Sequence, residues 1–262
     1  MLDAVMLVLR EVLEAALFVS LLLALGEHVS LPRRWAAVAV PVGLVASWLT
    51  SRYAAPLAEA MNGTGQELLN GAFYLVAIVS FVAINALLSP AVAGRGKHVP
   101  TAPLPLLFAM IVVCSMAREG AEVWIYLSSF RGSPAMTSAV TGGLIGSGIG
   151  LSLCALVYYS FAALPRRRFL TVFFALATLV AGGLAMQVAK LALQIGWLDS
   201  GPPVWDTTWL ASERSWLGQF LHALFGYDAN PDRVQALFYS AALMAVFAAA
   251  GARLAFPGNR RG

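Results

Sequence analysis

The chain has 262 residues, 60% of them hydrophobic and only 11% charged, against roughly 25% charged in an ordinary soluble domain. Such a composition argues against a soluble enzyme and for a chain embedded in lipid. The formal net charge of +4 does not indicate a nucleic-acid partner, because the basic residues are divided among short segments and form no continuous stripe.

Taken in chain order, apolar runs broken by charge, proline and glycine predict membrane spans near residues 2–26, 35–54, 68–89, 103–130, 135–163, 169–196 and 234–256. Each is long enough to cross the hydrocarbon as a helix, whereas an open strand edge in lipid would leave backbone groups unsatisfied. The expected fold is therefore an all-α polytopic membrane protein, a single transmembrane domain of seven helices spanning 1–262. The first span lacks a basic start and carries Arg10, Glu11 and Glu14 in its middle, so it reads as a retained span and not a cleaved signal. Cys114 and Cys154 lie in apolar runs without CxxC spacing and read as packing residues.

The connections set an orientation. Arg33, Arg34, Arg95, Lys97, Arg166, Arg167, Arg168, Arg260 and Arg261 all fall on one side, nine basic residues against four (Arg52, Arg131, Arg214, Arg233) on the other. The positive-inside rule then puts the amino terminus outside and the carboxyl terminus in the cytoplasm of a plasma membrane. The one long connection, 197–233, lies outside. Within it, Trp216, Leu217, Phe220, Leu221, Leu224 and Phe225 recur at helical spacing and predict a short interfacial amphipathic helix. Trp197, Trp205, Trp209 and Trp216 suit an aromatic belt at headgroup level.

The chain is internally duplicated. Arg10-Glu11-x-x-Glu14 returns as Arg118-Glu119-x-x-Glu122. Ala39-Val40-x-x-Gly43-Leu44-x-x-Ser47 returns as Ala139-Val140-x-x-Gly143-Leu144-x-x-Ser147, and Phe73 and Ala77 correspond to Phe173 and Ala177. Repeat one covers about 1–90 and repeat two about 103–196. With three spans each, the copies enter the membrane in opposite senses, an inverted repeat of the kind that places a site at the repeat interface. Residues 234–256 form a seventh helix outside the duplication.

Each motif puts two carboxylates about 60° apart on one helix face, with an arginine at i,i+4 from the second. Six charged groups facing lipid would cost roughly 15–20 kcal/mol together, so they must face the bundle interior. A structural clamp accounts for one glutamate per arginine and leaves the second uncompensated; a bound cation balances it. The donor set is all oxygen, which disfavours copper(I) and structural zinc and leaves magnesium, calcium, manganese and iron.

The paired RExxE motifs in a seven-span chain resemble the oxidase-dependent ferric iron permease family of fungi and bacteria. The likeness extends to Gln66-Glu67-Leu68, Ala181-Gly182-Gly183-Leu184-Ala185, Trp205-Asp206, and Leu221-His222 through Gly226-Tyr227. The resemblance implies inward iron transport, with iron as cargo and no permanently bound cofactor. It makes Glu11, Glu14, Glu119 and Glu122 the metal ligands and Arg10 and Arg118 their supports. It also implies an external iron oxidase or periplasmic iron-binding protein as partner. Glu67, Asp206 and His222 are accessory candidates; where many members read Glu-Gly before span three, this chain has Asn70-Gly71. Rival readings are a carrier for manganese or lead, a non-transporting scaffold, and a membrane redox subunit or enzyme. Against the last, there is no HExxH, GxSxG, paired histidine for haem or nucleotide loop. Two further polar candidates inside spans are Lys190, near Gln187 and Gln194 and expected either to pair with a bundle carboxylate or to snorkel outward, and Asn85, expected to hydrogen-bond between helices.

Overall fold

A computed structural model describes residues 1–96, 99–209, 215, 218, 221 and 227–256. Among them lie seven long helices and no strand: α1 Leu2–His28, α2 Arg34–Ala60, α3 Gly65–Val92, α4 Leu104–Ser128, α5 Met136–Ala162, α6 Arg166–Gln194 and α7 Arg233–Ala255. At about 1.5 Å per residue, 23 to 29 residues extend about 35–44 Å, enough to cross a bilayer. Five of the helices, α3 to α7, are both long and apolar enough to do so. α1 and α2 are not among them: α1 carries Asp3, Arg10, Glu11 and Glu14, and α2 carries Pro41, Arg52 and Pro56. The expected interfacial helix falls largely on residues outside those described, as do Lys97, His98, Arg214, His222, Arg260 and Arg261.

The helix limits follow local chemistry. Pro165, with φ −58° and ψ 137°, sits just before α6 and sets its first turn, so the helix begins at Arg166 instead of after the arginine run. Asp232 caps α7 through a reciprocal box: its carboxylate accepts from Gln235 N at 2.8 Å, and Gln235 Oε1 accepts from Asp232 N at 2.9 Å.

The chain divides into two compact units. The first comprises Met1–Phe73 and Phe108–Leu164; the second, Tyr74–Leu107 and Pro165–Gly262. In the first unit α1 packs along α5. Because lipid tails are as apolar as leucine, close backbone approach between small residues carries such contacts. A Cβ on Gly146 would stand 2.5 Å from the carbonyl oxygen of Val5, so only glycine fits there. Likewise a Cβ on Gly43 of α2 would meet Met116 Sδ at 2.7 Å, and one on Gly120 of α4 would meet Ser47 Cβ at 2.6 Å. Buried Trp35 and Phe108 meet edge to face at 5.1 Å. Arg33, following α1, bonds Glu27 and the Tyr158 hydroxyl of α5, tying the two helix ends together.

In the second unit α6 packs along α7, and its core holds Phe81, Ile84, Leu88, Phe169 and Phe173. Asn85 bridges α3 and α6 as expected, donating to Thr178 Oγ1 at 3.1 Å. Lys190 pairs with Asp228 at 2.6 Å, a carboxylate of the long connection and not of the helix bundle. The two ends of the long connection are joined by backbone bonds from Val204 N to Pro231 O and from Thr207 N to Ala229 O. Trp197, Trp205 and Trp209 are exposed.

Candidate metal centre

The two charged motifs come together inside the first unit. Both sit in uninterrupted α-helix, where arginine, glutamate, leucine and alanine are favourable residues. On α1, Arg10 Nε donates to Glu14 Oε1 at 3.3 Å, the expected i,i+4 pair, and stands 3.7 Å from Glu11 Oε1. On α4, Arg118 pairs with its neighbour Glu119 and reaches across to Glu14 Oε2 at 3.4 Å. Glu14 is thus held by both arginines, one from each motif. Gly120 makes the second motif compatible with this packing, since any larger side chain would collide with Ser47.

One carboxylate oxygen each from Glu11, Glu14 and Glu119 lies within 4.8 Å of the others. Hard cations bind oxygen at about 2.0–2.6 Å, so oxygens on opposite sides of one ion stand about 4–5 Å apart, and the three could share an ion. Glu11 is 3% and Glu119 1% exposed. The arginines stand beside Oε1 of each, while Oε2 of both has no hydrogen-bond partner. A buried carboxylate oxygen left unpaired costs several kcal/mol unless something positive meets it. Counting Arg10 and Arg118 against Glu11, Glu14 and Glu119 leaves one surplus negative charge, and Glu122 makes it two.

No family model, curated protein or solved structure matches this chain. What the site can do is therefore argued from its own residues.

Of the remaining candidates, Glu122 borders this group near Glu11 and Arg10, and the others lie elsewhere. Glu122, one turn beyond Glu119, is exposed and is not part of the three-carboxylate group. Glu67 stands in the first turn of α3, half-buried, with Oε2 unpartnered. Asp206 is exposed and accepts hydrogen bonds from the hydroxyl and backbone N–H of Thr208, which hold its carboxyl below the ordinary range. His222 lies outside the described residues.

Sequence reasoning did not anticipate a cavity of about 440 Å³ beside the carboxylates, walled by α1, α2, α4 and α5. Glu11 and Glu119 form part of its wall together with Ser47, Ser147, Met116 and Trp124. The signal was partly present: Ser47 and Ser147 are corresponding positions of the duplicated segment.

Proposed function

We propose that this chain is a plasma-membrane iron permease that moves iron from the outside to the cytoplasm through the paired RExxE motifs. The observation that carries the proposal is the meeting of Glu11, Glu14 and Glu119 from two motifs that lie far apart in sequence, with two buried oxygens unpartnered. Carboxylates replace the water ligands of a hard cation, and the surplus negative charge draws it in. Arg10 and Arg118 hold and orient the carboxylates, and Glu122 supplies a fourth at the exposed edge. An iron ion is cargo here, not a resident cofactor. Catalysis plays no part in the proposal.

The inverted-repeat reading draws support from the packing. Gly43 of α2 lies against Met116 of α4, and the corresponding Gly143 of α5 lies against Val8 of α1, at the position that matches Met116. The two units also follow the duplication: the first takes the first two helices of each copy, and the second takes most of the third helix of each. Seven crossings, with α1 and α2 among them, and an external amino terminus complete the proposal, the latter on the loop charges.

The test is radio-iron uptake by purified protein in liposomes at defined redox state, with manganese and lead run in parallel. Uptake of iron above protein-free vesicles, lost in Glu11→Gln, supports it. A stronger preference for manganese or lead would reassign the cargo, and absence of flux for every ion would sink the permease reading.

A further inference from the structure

The duplicated sequence makes the pair α4 and α2 the counterpart of the pair α1 and α5, yet the two pairs finish differently. α1 and α5 run parallel. Along the first half of α1 their backbones nearly touch: a Cβ on Gly142 would meet Met1 O at 2.8 Å, and one on Gly146 would meet Val5 O at 2.5 Å. At the carboxyl ends polar side chains join the two helices instead. The Tyr158 hydroxyl donates to Glu27 and accepts from Arg33 Nη2 at 2.6 Å, and Arg33 also pairs with Glu27 and stands 5.7 Å over the Tyr158 ring. His28 Nε2 donates to Phe161 O at 3.2 Å. In the other pair the position of Tyr158 is taken by Ala58, and that of Glu27 by Ala135, which falls beyond the end of α4. Neither side chain can form a hydrogen bond, so the cluster exists at one end only.

Access to the carboxylates has the same asymmetry. The exposed members of the two motifs, Arg10 and Glu122, are the outermost on the orientation proposed above, about 12 Å from the start of α1 and about 9 Å from the end of α4. Toward the opposite end Leu22, Leu25, Phe108 and Ile111 are fully buried, and Trp35 packs on Phe108. A hard cation gives up its water only to oxygen ligands, so it cannot pass this apolar layer as packed. We infer that Glu27, Arg33 and Tyr158 form a latch that holds the cytoplasmic ends of α1 and α5 together, and that an ion leaves the site when the latch opens, with the close glycine contacts as the pivot. The side chains of Arg33 and Glu27 are 65% and 36% exposed; water replaces their partners on opening, which suits a contact broken and remade in every cycle. The role in ion release rests on the permease proposal; the latch itself does not.

The first test fastens the ends. In the full chain carrying Glu27→Cys and Tyr158→Cys, a reducible thiol cross-linker should lower iron uptake by liposomes at least tenfold, and reductant should restore it. Manganese(II) binding, followed by electron paramagnetic resonance on the same sample, should stay within about twofold. Each single-cysteine variant, treated alike, is the control. The second test needs no transport. Ala24→Cys places a thiol in the buried layer, and its reaction with a water-soluble maleimide is followed by mass spectrometry on protein in lipid nanodiscs, where both faces meet the reagent. Adding Tyr158→Phe or Glu27→Gln should speed that reaction at least threefold. An unchanged labelling rate in both variants overturns the latch, and cross-linking that abolishes manganese binding along with uptake overturns the release role. Should the double-cysteine variant fail to express, the labelling rates decide. Faster labelling without flux of any ion overturns the permease proposal alone, whereas iron flux that persists through the cross-link overturns this inference alone.

Discussion

The sharpest prediction concerns Glu14, because the geometry separates it from Glu11 although both belong to the same motif. Glu14→Gln keeps the shape of the side chain and removes its charge. Two charge-assisted contacts are weakened, from Arg10 at 3.3 Å and from Arg118 at 3.4 Å. Contacts of that kind contribute about 1.5–3 kcal/mol each. The Arg10 contact is discounted because that side chain is 58% exposed and screened, and because Glu11 still faces it. The Arg118 contact is worth more, since Arg118 is 16% exposed, although Glu119 still pairs with it. A net loss of about 2–3 kcal/mol follows. At about 2–4 °C per kcal/mol for a chain of this size, thermal unfolding in detergent should shift down by about 5–10 °C.

Glu11→Gln removes a buried charge whose Oε2 has no partner and whose Oε1 is 3.7 Å from Arg10. It should therefore unfold within about 1 kcal/mol of wild type and lose the stabilisation that added iron or manganese gives. Glu122→Gln, at an exposed position, should cost less stability than Glu14→Gln. The assay is a fluorescence thermal shift on purified variants, with and without metal. If Glu14→Gln unfolds with the wild type while Glu11→Gln is the destabilised variant, the cross-motif pairing is not what holds the site.

Arg118→Lys keeps the charge but replaces the guanidinium whose Nη2 meets both Glu14 and Glu119 with a shorter, differently shaped head; liposome uptake should fall severalfold, and wild-type flux at normal expression would show that charge alone suffices. Gly146→Ala should lower the yield of folded protein because its Cβ would press within 2.5 Å of Val5 O, whereas Gly148→Ala, which meets nothing within 4 Å, should be neutral or slightly stabilising; size-exclusion profiles of the two compare them directly. Lys190→Ala removes the ammonium from Asp228, which is 7% exposed and also accepts from the uncharged Asn230 N–H, and should destabilise by about 1–3 kcal/mol, with the added Asp228→Ala change recovering part of the loss in a thermal-shift double-mutant cycle. A cysteine at Ser212 should react with an impermeant reagent from outside, and a reporter after Arg261 should be cytoplasmic; labelling of the Ser212 site only after permeabilisation reverses the orientation.

The helices were legible because an apolar run of 20 residues or more has few alternatives in lipid. The misplaced ends share a cause. Arg166, Arg167 and Arg168 break the apolar run, so the reading began span six at Phe169, but Pro165 presets the turn and α6 starts at Arg166. Arg52 and Pro56 read as the end of span two, yet α2 continues to Ala60, since Pro56 removes only one backbone bond near the last turn. At the site, the duplication made the meeting of the two motifs readable, and the i,i+4 rule gave Arg10 with Glu14. It could not give the unequal roles of Glu14 and Glu122. The two motifs are the same string in sequence, so any argument from spacing treats those glutamates alike. Packing breaks the equivalence: Arg118 reaches over to Glu14, and Glu122 is left exposed. The cavity escaped notice for a related reason. Its wall is drawn from four helices and includes Ala15, Ala16 and Gly120, residues that declare themselves only through the space they leave.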